Sequence, residues 1–188
     1  MSVTDVLSRI SAALNRAGIT YMLSGSVASA YYGPPRSTQD IDIVIAATPD
    51  QLRRFINLLP PGDYYADIEA ALEAHKRQSM FNVIDMATGW KIDFIICKSR
   101  AFSEEELRRS APVVLHGVEL YVATVEDVII SKLEWAKKAE SIRQIDDVTR
   151  VLRMRWDSLD RKYLDKWIRE LGLGTQWNSA LRAAGIEE

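Results

Sequence analysis

The segment Asp40-Ile41-Asp42-Ile43-Val44-Ile45 constrains this chain more than any other. Its isoleucines and valine read as a strand with one face in a core. A strand repeats every two residues, so Asp40 and Asp42 project together from the opposite face. Two carboxylates set into an apolar strand are costly unless something cationic neutralises them. Upstream, Ser24-Gly25-Ser26 is a tight small-residue turn between an apolar strand and a small-residue helix. Two hard oxygen ligands downstream of such a turn point to a divalent cation and a phosphate-bearing ligand.

The bulk properties fit that reading and narrow it. The chain has 188 residues, of which 47% are hydrophobic and 27% charged, enough for a real core. A formal net charge of −2 argues against a strong sequence-independent grip on nucleic acid, so DNA is not an expected partner. Cys97 is the only cysteine, so no intrachain disulfide can form, and its place after Phe94-Ile95-Ile96 reads as a buried thiol. No apolar run approaches the roughly 18 residues of a membrane span. Asp5 and Arg9 interrupt the N-terminal apolar pattern, unlike a signal peptide. The expectation is a cytoplasmic protein that does not enter a membrane.

Periodicity predicts a helix over 3–17, a short strand at Tyr21-Met22-Leu23 and a helix from Ser26 to Tyr32 that stops at Gly33-Pro34-Pro35. The acidic strand follows over 40–46. Helices are expected from Pro49 and over 67–76. A hairpin is expected from Met80–Met86 and Trp90–Cys97, then a helix near 102–109 and a second hairpin around His116-Gly117. From Thr124 the pattern is helical throughout: 125–138, 141–154, 160–171 and 174–184. The fold class is α+β, with an all-helical C-terminal extension. Residues 1–123 form the expected core and 124–188 the extension packed on it.

Gly25-Ser26, thirteen residues, then Asp40-Ile41-Asp42-Ile43 resembles the signature of the nucleotidyltransferase superfamily, the polymerase-beta-like fold. The fuller string, with Val27-Ala28, Tyr32-Gly33, Arg36 and Thr38, is similar to the minimal nucleotidyltransferases, and among them to the AbiEii-type toxin group. The stretch Val125-Glu126-Asp127-Val128-Ile129-Ile130-Ser131-Lys132-Leu133, with Arg143 and Asp146-Asp147-Val148, resembles that group more weakly. The resemblance implies a mixed sheet flanked by helices. It also implies an EC 2.7.7-type activity, in which NMP passes from an NTP to a hydroxyl of RNA (tRNA), a protein or a small molecule. Magnesium, or manganese in its place, is the implied cofactor, and an antitoxin protein an implied partner.

Gly25 can adopt backbone angles that other residues avoid and lets a phosphate approach the main chain. Ser26 opens a helix, so its hydroxyl and the following N–H groups can hold a triphosphate, or serve only as an N-cap. Asp40 and Asp42 would hold magnesium, and the resemblance adds a third carboxylate from a neighbouring strand. Asp93, inside Trp90-Lys91-Ile92-Asp93-Phe94, is the better match; Asp85 on the partner strand is the rival. Asp93 is also the expected acceptor of the hydroxyl's proton. Lys91 lies two residues before it on the same face, which makes an Asp–Lys ion pair without metal the competing reading. Arg36 faces either the triphosphate or a turn-stabilising salt bridge. Lys132 reaches a phosphate or snorkels from its helix. Asp146 and Asp147 stand as alternatives for orienting Lys132 or the acceptor, with Arg143 paired to one of them.

The five tryptophans read as packing residues. His75 and His116 lack ligand-like companions for zinc. Lys137, Lys138, Arg143, Arg150, Arg153 and Arg155 read as a solvated helix face, with docking of an RNA acceptor as the weaker alternative. Two rival functions stand beside the transferase. One is a catalytically silent nucleotide- or protein-binding module of the same fold. The other is a metal-dependent glycosyltransferase, which usually needs a larger parallel-sheet domain.

Overall fold

The structure is a computed structural model that describes residues 3–34, 38, 40–115 and 117–186. These form two compact units. One holds the residues up to Ser26 and those from Thr38 to Ala123; the other holds Val27–Pro34 and Thr124–Ile186.

The first unit is built on a seven-stranded mixed sheet, counted among the described residues. Its strands are β1 (Thr20–Leu23), β2 (Asp40–Ala46), β3 (Tyr64–Ala66), β4 (Met80–Asp85), β5 (Lys91–Ile96), β6 (Ala111–Leu115) and β7 (Val118–Val122), in the order β3-β4-β5-β2-β1-β7-β6. β2 lies centrally, antiparallel to β1 and parallel to β5. The helices of this unit are α1 (Val3–Ala17), α3 (Pro49–Leu58), α4 (Ile68–Arg77) and α5 (Ala101–Arg109). Alternation along β2 sends Ile41, Ile43 and Ile45 to one face, where their register partners on β5 are Ile92, Phe94 and Ile96. All six are buried. Phe55 of α3 packs edge-on against Phe94 at 5.0 Å, and Phe81 of β4 stacks on the same ring at 5.1 Å. That aromatic trio fixes α3 on the apolar face of the sheet. A capping box between Thr48 and Gln51 starts α3, and Asp67 caps α4.

The sequence reading missed β3. With three residues it is too short to show a period of two, and none of them is fully buried. It exists only because β4 offers it a partner edge.

The second unit contains α6 (Val125–Ala139), α7 (Ile142–Arg155), α8 (Arg161–Glu170) and α9 (Gly174–Ala184). The helix α2 (Gly25–Tyr32) contributes its residues from Val27 onward. Val128, Leu133, Val148, Leu152, Leu164, Trp167, Trp177 and Leu181 are buried here. Trp156 lies 6.3 Å from Trp177, and Arg161 sits over the Trp156 ring. Trp135 is the exception among the packing tryptophans: it is 48% exposed, with the Lys138 ammonium near its ring. The basic cluster does more than meet solvent. Lys137 donates to the carbonyls of Leu171 and Gly172, Arg153 to that of Ala183 and Arg155 to that of Tyr32. Three of these carbonyls lie at the C-terminal ends of α8 and α9, where a cation offsets the helix dipole.

Candidate active site

The sheet brings together the residues that the acidic strand announced. Asp42 on β2 and Asp93 on β5 are register partners in parallel strands, and Asp40 is the partner of Lys91. Strands in a sheet lie about 4.8 Å apart, so these four side chains form a tight quartet on the face opposite Phe94. Asp93 is buried and Asp40 is exposed. One oxygen of the buried carboxylate, Asp93 Oδ1, has no hydrogen-bond partner. Such an orphan is costly unless a ligand or a proton completes it.

Lys91 bridges two of the three acids. Its Nζ donates to Asp93 Oδ2 at 2.8 Å and lies 3.5 Å from Asp40 Oδ1. The hydrogen bond to Asp93 pushes the ammonium's pKa above the usual lysine value; partial burial opposes this, and the charges of Asp93 and Asp40 add to it. The ion pair foreseen beside the metal reading is therefore formed, and to both acids. Three carboxylates and one ammonium leave the quartet at −2. Among the described residues, no group of three or more His, Cys, Asp or Glu side chains is already arranged to hold a metal ion.

Gly25 closes one side of the quartet. Its φ is +58°, and a Cβ built there would fall 1.8 Å from Asp42 Oδ2. The Asp42 carboxylate thus lies directly on the Gly25 backbone, a place no other residue can occupy without displacing it. The Ser24 N–H donates to the Asp42 carbonyl at 2.9 Å and locks the turn to β2. Ser26 follows at the start of α2, half-buried.

Asp85, the rival third carboxylate, faces the other way. The hairpin register pairs Asn82 with Asp93, so alternation along β4 puts Asp85 on the opposite face. There it pairs with Arg9 and accepts the N–H groups of Ala87 and Thr88, which closes the hairpin turn. The same register shows what the sequence reading overlooked: exposed Asn82 sits beside Asp93. Counting back from the Ala87-Thr88-Gly89 turn would have found it.

Lys132, Asp146 and Asp147 belong to the helical unit. Lys132 is buried, and its Nζ donates to Asp147 Oδ2 at 2.7 Å and to Gln144 Oε1 at 3.2 Å. Asp147 is buried with it, whereas Asp146 and Arg143 are exposed. Of the two alternatives, Asp147 is the partner of Lys132. Arg36 and His116 lie outside the described residues.

The seven-stranded mixed sheet and its flanking helices give a nucleotidyltransferase-like fold. Solved structures with this architecture include the antibiotic-resistance factor ANT(2'')-Ia, at 14% identity over 91% of this chain and 92% of that one, with a TM-score of 0.57. The same factor in complex with adenylyl-2''-tobramycin matches at 12% identity over 92% and 97% of the two chains, with a TM-score of 0.54. An antigenic nucleotidyltransferase-like protein from Paracoccidioides brasiliensis matches at 15% identity over 98% and 93%, with a TM-score of 0.50. No protein-family model and no curated protein sequence matches the chain.

Proposed function

We propose that the protein is a nucleotidyltransferase that moves NMP from an NTP to an acceptor hydroxyl with release of pyrophosphate, using a divalent metal. The observation that carries this reading is one piece of geometry: Gly25 lies against Asp42, and Asp42 stands beside Asp93 on the next strand. The donor set suits magnesium, which prefers carboxylate oxygens and shares them with substrate phosphates. The orphaned Asp93 Oδ1 is an oxygen in want of a partner. Asp40, Asp42 and Asp93 would hold the ion, which when bound neutralises phosphate charge and polarises the α-phosphorus.

The chain's own residues have distinct tasks. Gly25, lacking a Cβ, leaves the main chain open to a phosphate next to Asp42. Ser26 offers its hydroxyl and the first N–H groups of α2 to the triphosphate. As the acceptor oxygen bonds to the α-phosphorus and the bond to pyrophosphate breaks, Asp93 takes the hydroxyl proton.

A small-molecule hydroxyl is the acceptor class best supported, because one structure with this fold is a complex with adenylyl-2''-tobramycin. A tRNA end and a protein hydroxyl are the alternatives. Membership of an AbiEii-type toxin or defence system, with an antitoxin partner, rests on the sequence strings alone. A cytoplasmic location accords with the lack, among the described residues, of any helix long and apolar enough to cross a membrane.

The test is to incubate the protein with each α-labelled NTP, magnesium or manganese, and in turn aminoglycosides, total tRNA and cell protein. Labelled acceptor and released pyrophosphate are expected, both lost in Asp42→Asn. One observation favours the silent binding module instead: Lys91 already neutralises part of the acidic quartet. Calorimetry showing NTP binding without metal dependence, with no label transferred, would establish that second reading.

A further inference from the structure

We infer that the sheet face beyond Asp93 is an acceptor subsite, in which Asn82 hydrogen-bonds the acceptor beside its reacting hydroxyl and Tyr65 packs on its ring. The ligand it fits is a small ring-bearing polyol. The inference rests on the transferase reading above and adds two residues and a substrate class to it.

The argument is one of register. Asp42, Asp93 and Asn82 are successive partners across β2, β5 and β4, so they form one row on one face of the sheet. Gly25 lies against Asp42, which makes that the nucleotide end of the row. Asp93 comes next, with its Oδ1 unbonded. An acceptor that gives its proton to Asp93 therefore arrives from the β4 side, where exposed Asn82 is the next side chain. Two strand spacings put it about 10 Å from Asp42.

A second row runs beside the first. Asp40, Lys91, Ile84 and Tyr65 are successive partners across β2, β5, β4 and β3. Tyr65 thus shares the face of the acids. It is a diagonal neighbour of Asn82, a separation of about 7–8 Å that an aromatic side chain spans. Tyr64 points the other way, where its hydroxyl accepts from Arg9 Nε at 2.8 Å and ties the edge strand to α1. Tyr65 is left 57% exposed on the acidic face.

The chemistry of this face defines the ligand. The Asn82 amide both donates and accepts, which suits adjacent hydroxyls of a polyol. The Tyr65 ring offers an apolar surface to the C–H face of a sugar-like ring, with a hydroxyl at its rim. Met80, Asn82, Ile84 and Tyr65, which β4 and β3 place on this face, include no cation to meet a phosphodiester. A nucleic-acid acceptor is therefore disfavoured.

Transfer by the full chain from an α-labelled NTP to tobramycin, methyl glucoside and myo-inositol, beside total tRNA and cell protein, tests this. Label is expected on a ring polyol. For that polyol, Asn82→Ala and Tyr65→Ala should each raise KM about tenfold and leave the NTP KM within about twofold of the wild type. Tyr65→Phe keeps the ring and should stay near the wild type. Both positions are exposed, so urea midpoints should not move, and loss of structure would not split the two KM values. An unchanged acceptor KM in either alanine variant, a Tyr65→Phe as impaired as Tyr65→Ala, an equal rise in both KM values, or label confined to tRNA or protein overturns the inference and leaves the transferase reading standing. Absence of label on every acceptor overturns both.

Discussion

Asp42 and Asp93 face each other across two parallel strands as direct register partners. Like charges at that spacing are kept for what they can bind and not for stability. Asp42→Asn and Asp93→Asn should each lower nucleotidyl transfer by roughly a hundredfold or more. Asp42→Asn should also leave the protein as stable as the wild type, or up to about 1 kcal/mol more stable. Steady-state transfer assays beside urea unfolding curves check both halves; an active, destabilised Asp42→Asn would contradict them.

Asp85 should behave in the opposite way. It is buried at 1%, paired with Arg9 and bonded to two turn amides. Asp85→Asn keeps the shape and removes the charge from the pair with Arg9, and it leaves the turn with a weaker acceptor. A loss of about 2–3 kcal/mol is expected from equilibrium unfolding. A stability loss smaller than that of Asp93→Asn would reverse the roles assigned to these two carboxylates.

Gly25 and Gly89 both have positive φ, at +58° and +73°, but differ in what surrounds them. Nothing lies within 4 Å of a Cβ at Gly89, so Gly89→Ala should cost only the left-handed strain, about 1 kcal/mol. At Gly25 the added methyl must push Asp42 aside, for a further 1–3 kcal/mol or so. Transfer activity should fall with Gly25→Ala far more than stability alone explains. Thermal melts and assays on the two variants side by side separate strain from displacement.

The Lys132–Asp147 pair is a buried salt bridge, and its two halves should not be separable. Lys132→Met alone takes the ammonium from the buried Asp147 carboxylate, and Asp147→Leu alone takes that carboxylate from the buried Lys132 ammonium; each should cost about 3–5 kcal/mol. The double variant removes both charges and should recover most of that loss. A double-mutant cycle by chemical denaturation measures the coupling; additive losses would show that the two groups act independently.

Tyr32 gives the protein an alkaline limit. Burial, helped by Tyr31, Glu126 and Asp127 and opposed by Arg155, pushes its phenol from 10.0 up to about 12. The folded state therefore keeps a proton that the unfolded chain sheds. This contribution is complete below pH 10 and is lost as the pH climbs toward 12. Unfolding midpoints between those limits should fall more steeply for the wild type than for Tyr32→Phe. Parallel profiles would remove Tyr32 from the account.

Much of this molecule was legible in one dimension. Apolar spacing places α1 at Val3–Ala17 and β2 at Asp40–Ala46, because burying one face of a helix or strand imposes periods that a sequence displays openly. The acids at 40 and 42 could be read as co-facial for the same reason, and Gly25 as a backbone exception. What the chain could not announce were relationships set by pairing across distance. The parallel register that seats Asp42 beside Asp93, the hairpin register that turns Asp85 away, the edge strand Tyr64–Ala66 and the insertion of Lys91 between Asp40 and Asp93 all depend on which strand meets which. The choice of Asp147 over Asp146 likewise waited on which face of α7 was buried. Sequence determined the faces each element would present, since that is a local matter of period. Only tertiary structure decided which charges share a face with which, since register is fixed by the summed packing of the sheet and by no residue alone.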